Sequence, residues 1–137
     1  MAADIAEIYQ LADALISPYR FEGFNLPVLE AMASGLPVVC TAGGPTDDFW
    51  YDGAGLRIRA ARVTGRDADG EWVMLQPDLD ELVAAMLKVG SEPHWAERAR
   101  AQGPAHVATC WTWAQAAARV LEFAAAMMAS NPREVGV

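Results

Sequence analysis

The sequence predicts an α/β fold, a parallel sheet covered by helices on both faces, and three observations carry that expectation. Short β-branched runs alternate with segments of helical periodicity. Glycine and proline mark nearly every junction between them. A composition of 53% hydrophobic and 20% charged residues over 137 positions is that of a single globular domain with a core.

Taken in order, Ile5, Ile8, Tyr9 and Ala12 recur at helical spacing, and a short apolar run from Ala14 to Ser17 stops at Pro18, giving helix then strand. A helix starting at about Asn25 and ending at Gly35 follows. Asn25 is a good capping residue, Pro27 fits the first turn, where a missing N–H costs nothing, and Gly35 supplies the stop. Pro37 to Thr41 is a second buried strand. Gly43-Gly44-Pro45 makes a tight turn, with a short helical turn through Asp48 to Trp50. Gly55 to Arg59 is a third strand, Arg62 to Gly70 a polar loop or hairpin tip, and Trp72 to Leu75 returns to the sheet. Asp78 caps the next helix, Glu81 comes close to completing a capping box, and Leu79, Leu82, Val83, Met86 and Leu87 form one apolar face. Helical patterns also cover His94 to Gln102 and Trp113 to Met128. The domain is expected to span residues 1–130, with 131–137 a frayed tail.

Ten Lys and Arg against eighteen Asp and Glu leave the chain at −8, a balance that disfavours nucleic acid as a partner. The basic residues between Arg57 and Arg66 read as a solvated loop. Cys40 and Cys110 are the only cysteines, and Cys40 falls within a buried strand, where a thiol behaves as a small hydrophobe. His94 and His106 have no ligand at zinc spacing, so no metal is expected. Asp4 and Glu7 stand where a signal peptide would be basic, and no apolar stretch reaches the ~20 residues needed to span a bilayer. A cytoplasmic location is the default expectation.

The segment Glu22-Gly23-Phe24-Asn25-Leu26-Pro27-Val28-Leu29-Glu30 carries the chemistry. The backbone N–H groups near Phe24, Asn25 and Leu26 have no intrahelical partner and lie at the positive end of the helix dipole. Such a helix start suits an anion as large as a diphosphate. It also follows the first strand, and ligands of parallel α/β sheets bind beyond the carboxyl ends of strands.

These residues resemble the retaining glycosyltransferases of family 4, whose two Rossmann-like domains form the GT-B arrangement. The family's Glu-x7-Glu signature corresponds to the stretch from Pro18-Tyr19-Arg20-Phe21-Glu22 through Val39. Agreement extends to Tyr9 to Asp13, Gly43-Gly44, the Pro77-Asp78 helix start and Thr112-Trp113 at the start of the last helix. Tyr19 stands where serine is common, and Asn25 replaces a frequent glycine.

The resemblance implies a nucleotide-diphosphate sugar as donor substrate, with no metal and no other cofactor. It gives Glu22 a catalytic role at the hydroxyls of the donor sugar. It assigns Gly23, Phe24, Asn25 and Leu26 to backbone contacts with the diphosphate, and Glu30 to the ribose. Gly23 admits a phosphate close to the main chain, and a carboxylate can accept two hydroxyls at once. By the same resemblance the chain is the C-terminal part of such an enzyme, a partial Rossmann-like parallel sheet with flanking helices, inactive alone. The acceptor, a sugar or glycolipid, would be bound by an N-terminal domain lying outside it, and the strand from Ala14 to Ser17 would present an edge able to pair with a second copy. The alternative is a non-catalytic oligomerising or partner-binding module derived from that domain.

Overall fold

The computed structural model describes residues 5–130, so the expected tail at 131–137 lies outside the described residues. Helix α1 (Ile5–Gln10) leads into β1 (Leu15–Ser17), α2 (Leu26–Ala33) and β2 (Val38–Thr41). Two single 3₁₀ turns, Pro45–Asp48 and Asp52–Ala54, precede β3 (Gly55–Ile58). The strands pair in parallel in the order β1-β2-β3, with Leu15 opposite Val38 and Val38 opposite Gly55. The expected α/β architecture is the one observed.

Alternation along β2 divides the core between the faces of this sheet. Val38 and Cys40 join Val28, Met32, Phe49 and Val107 on the side of α2 and α4 (His94–Cys110). Val39 joins Ile58, Ala85, Val89 and Trp95 on the side of α3 (Leu79–Ser91). Glycines permit the closest approaches. A Cβ on Gly103 would lie 2.5 Å from the Met32 carbonyl oxygen, so α4 can rest on α2 only with glycine there. Gly35, at φ 74°, ends α2 in a Schellman motif, the amides of Gly35 and Leu36 reaching the carbonyls of Met32 and Ala31 at 3.1 and 2.9 Å.

Several expectations are corrected. Trp72 to Leu75 does not return to the parallel sheet. It lies in β5 (Gly70–Pro77), which pairs antiparallel with β4 (Ala60–Asp67) in a separate two-stranded hairpin. Arg62 to Asp67 is therefore strand rather than loop, and only the tip at Asp69-Gly70 turns, with Gly70 at φ 130°. The hairpin closes on itself partly because the Trp72 ring covers its partner Gly65, where a Cβ would come within 2.2 Å of the indole.

The third helix starts as expected, Asp78 accepting from the amides of Asp80 and Glu81 at 3.0 Å. Glu81 does not complete the capping box, because its carboxylate is taken by the amide and guanidinium of Arg59. Nor is the apolar face of α3 fully covered. Ala85 and Val89 are buried, while Leu79, Val83, Met86 and Leu87 remain exposed. Helix α4 continues past Gln102 through Gly103-Pro104 to Cys110, its buried positions Trp95, Ala99, Gly103 and Val107 keeping one face on the core. A Thr112–Gln115 capping box opens α5 (Trp113–Ser130), with the Thr112 amide donating to Gln115 at 2.8 Å and the Gln115 amide to Thr112 at 3.3 Å.

Candidate functional site

The residues from 18 to 25 connect the carboxyl end of β1 to α2, and the structure shows how they are held. The Phe24 ring packs against Phe49 at 4.9 Å and Trp111 at 6.3 Å between centroids, anchoring the loop in the core. Asn25 adopts the left-handed conformation, φ 69° and ψ 57°, and is only 4% exposed. Its side chain does not cap α2 as the sequence suggested. The backbone conformation turns it instead toward β1, where Nδ2 donates to Ser17 Oγ at 3.0 Å. Asparagine is among the few residues that tolerate this region.

The amides of Phe24, Asn25 and Leu26 have no hydrogen-bond acceptor among the described residues, and Leu26 is 45% exposed. The first intrahelical bond is made by Val28, whose amide reaches the Asn25 carbonyl at 3.1 Å. Gly23 differs, since its amide donates to Glu22 Oε1 at 2.9 Å. A carboxylate thus sits just ahead of the helix start, where the dipole favours negative charge.

The two glutamates face different surroundings. Glu22 borders a concavity of about 270 Å³ with Tyr19, Gly43, Gly44, Arg62 and Leu75. Glu30 borders a larger, mostly apolar one of about 630 Å³ with Phe24, Leu26, Trp111, Trp113 and Arg119. Glu30 Oε2 accepts a hydrogen bond from the Tyr9 hydroxyl at 3.0 Å. Burial, followed by that bond and the glutamate's charge, pushes the Tyr9 phenol up to about 12.

Sequence reasoning gave no role to the side chains that brace these loops. Tyr19 Oη and Thr46 Oγ1 are 2.6 Å apart, and Thr41 Oγ1 donates to the Tyr19 carbonyl at 2.9 Å, joining the loops that follow β1 and β2. Burial raises the Tyr19 phenol above its ordinary value. The larger side chain fits because position 44 is glycine, where a Cβ would lie 2.6 Å from Tyr19 Oη. The hairpin is strapped to the same loop by the Leu75 amide, 2.9 Å from the Arg20 carbonyl, and by an Arg20–Gln76 side-chain bond.

The basic stretch from Arg57 to Arg66 is not a solvated loop. Arg57 pairs with Asp47, Arg59 with Glu81 and Arg66 with Glu71. Asp47 also accepts from the Gly43 amide at 3.2 and 3.1 Å. The Arg62 guanidinium has no polar partner among the described residues, and the residue borders the Glu22 concavity. These pairs join residues 5 to 22 positions apart, so no local pattern exposes them. His106 approaches the Phe49 carbonyl at 3.1 Å and stacks on Tyr51, a packing role. Among the described residues no group of three or more His, Cys, Asp or Glu could hold a metal ion, and no helix is long and apolar enough to cross a membrane.

A three-stranded parallel sheet, helices on both faces and a proline-initiated helix after β1 define a Rossmann-like α/β domain, with the loop from 18 to 25 at the carboxyl edge of its sheet. The family described as "Glycosyl transferases group 1" matches residues 1–92, and the chain belongs to that family. It is similar to MMP alpha-(1->4)-mannosyltransferase of Mycolicibacterium hassiacum, 28% identical over 118 residues that make up 86% of this chain and 25% of that protein. A D-inositol 3-phosphate glycosyltransferase of Frankia alni is 33% identical over 118 residues, with the same coverage of 86% and 25%. Among solved structures, sucrose-phosphate synthase from Thermosynechococcus elongatus superposes with a TM-score of 0.69 at 24% identity, over 90% of this chain and 27% of that one. The last likeness concerns the fold, a GT-B-type α/β domain. The chain spans about a quarter of the length of these relatives.

Proposed function

We propose that the chain is the donor-binding part of a retaining family 4 glycosyltransferase, taking a nucleotide-diphosphate sugar and contributing to hexosyl transfer. The observation that carries this reading is the exposed start of α2, where unpartnered amides lie between Glu22 and Glu30 in the chain. An elongated ligand suits the two separate concavities, with the sugar toward Glu22, the diphosphate at the helix start and the ribose toward Glu30. In the transfer, the bond between the anomeric carbon and the β-phosphate oxygen breaks. The acceptor oxygen bonds to that carbon on the same face, and the acceptor proton leaves with the nucleoside diphosphate. The negative charge that develops on the leaving diphosphate is met by amides already oriented, which is where fixed dipoles stabilise a transition state most effectively. A bound diphosphate competes with Glu22 for the Gly23 amide and so frees the carboxylate to turn toward the sugar hydroxyls.

Transfer also needs an acceptor-binding domain, so the chain by itself is expected to bind donor without turning it over, and in the cytoplasm. Calorimetric titration with uridine, guanosine and adenosine diphosphates tests the reading. Saturable binding of one of them, abolished or strongly weakened by Glu30→Ala, supports it, and absence of binding to all three rejects it. A second reading, a module that binds itself or a partner subunit, is favoured by one observation: α5 has no buried residue and exposes Val120, Leu121, Phe123, Met127 and Met128. Among the described residues β1 also pairs on one side alone. Concentration-dependent light scattering without nucleotide binding would favour that reading over the first.

A further inference from the structure

The geometry points to Tyr9 as a positioning residue that fixes the Glu30 carboxylate for a vicinal diol, the 2′,3′-hydroxyl pair of a ribonucleoside diphosphate. The inference rests on the proposed ribose contact of Glu30 and extends it to a residue with no assigned role.

Glu30 lies on the exposed side of α2, and glutamate has three side-chain torsions to immobilise before it can bind in one orientation. Tyr9 reaches it from another element, 21 positions away in the chain, through a single 3.0 Å bond to Oε2. The phenol ring is itself held, packing against the core cluster that contains Val28, Leu29 and Met32 on α2. Tyr9 is the one residue of α1 that is partly buried, while Ile5 and Ile8 on the same helix lie open. Its burial therefore places one hydroxyl on one carboxylate oxygen.

The arithmetic of acceptors fits a diol. An ionised carboxylate has about four lone-pair sites, and the tyrosine uses one of them. Oε1 and the remaining site on Oε2 are left for two hydroxyls. The phenol serves as donor across the working pH range, since its neighbours and burial keep it protonated up to about 12. A phenylalanine at position 9 would keep the packing and lose only the anchor.

The test compares a ribonucleoside diphosphate with its 2′,3′-dideoxy analogue, using whichever of the uridine, guanosine and adenosine compounds binds. The wild-type chain should prefer the ribonucleotide. Tyr9→Phe should weaken that ligand about three- to tenfold, the scale of one hydrogen bond, and leave the dideoxy analogue within about twofold. In a Glu30→Ala background the same substitution should change neither affinity. Equal weakening of both ligands would assign Tyr9 a purely structural role and overturn the inference, as would an unchanged ribonucleotide preference. A wild-type chain that binds neither ligand, or both equally, would instead reject the ribose role of Glu30, and the inference with it. Circular dichroism and thermal melting of Tyr9→Phe verify that the fold is retained. Should that variant fail to fold, Tyr9→Leu, which also removes the hydroxyl and leaves Glu30 in place, should show the same selective loss, and equal loss for both ligands would overturn the inference.

Discussion

Helices α2 and α5 are both rich in apolar residues, yet they stand at opposite extremes of burial. Over its eight residues α2 buries Val28, Leu29, Ala31 and Met32, whereas α5 buries none of eighteen. Connectivity accounts for the difference. Helix α2 joins two adjacent parallel strands, so the crossover forces it onto the sheet, and α4 then covers its other side. Helix α5 follows the last packed element and returns to no strand among the described residues. Apolar content thus measures what a helix can bury, and its neighbours decide what it does bury.

Four measurements can break or sharpen this contrast. Met32→Ala should be the most damaging, destabilising the domain by about 3 kcal/mol in urea unfolding, because its side chain is fully enclosed between sheet and helices. A cost below about 1 kcal/mol would mean that α2 is not packed as described.

Raising the pH probes the same core. Burial pushes the Cys40 thiol up to about 11 from its ordinary value of 9.0. The folded chain then holds this proton more tightly than the unfolded chain does, so the associated stability is intact below about pH 9 and is lost as the pH rises toward 11. The loss should be on the order of 2 kcal/mol, and Cys40→Ala should remove this part of the slope in unfolding at pH 8 and 10.5. Equal slopes in the two proteins would contradict the buried thiol.

At the edge of the packed region, Asn25→Ala should cost about 1–2 kcal/mol, since alanine resists the left-handed conformation, and Asn25→Gly should cost less despite losing the Ser17 bond. Equal costs would show that the hydrogen bond, and not the backbone, sets the requirement. Phe123→Ala in α5 should change stability by less than about 0.5 kcal/mol, as for an exposed position. A loss comparable to that of Met32→Ala, increasing with protein concentration, would show that α5 is covered in solution by another copy.

Local signals in the sequence were sufficient for the elements around the site. Pro27, Gly35 and the run from Val38 to Thr41 set α2 and β2 within a residue or two, because proline, glycine and β-branched residues constrain their own backbone. Asp78 was equally legible as a cap. The hairpin was not. Residues from Arg62 to Asp67 are polar on a strand largely open to water, so composition mimics a loop, and only pairing with β5 reveals the strand. Asn25 was placed correctly ahead of the helix and given the wrong side-chain partner, since a left-handed backbone is a property of the turn as a whole.

For the candidate site, the residues between Glu22 and Glu30, and not the spacing of the two acids, made the segment chemically suggestive, because a proline-initiated helix carries its free amides and dipole with it wherever it lies. The sequence by itself therefore determined the parallel α/β class, the helix start after β1 and membership of a recognisable family. Only the tertiary structure decided that Tyr9 reaches Glu30, that Tyr19 requires glycine at position 44, that Arg57 neutralises Asp47 and that α5 remains uncovered. Each of those facts joins side chains brought together by packing across separate elements, and no regularity of chain spacing encodes such a distance.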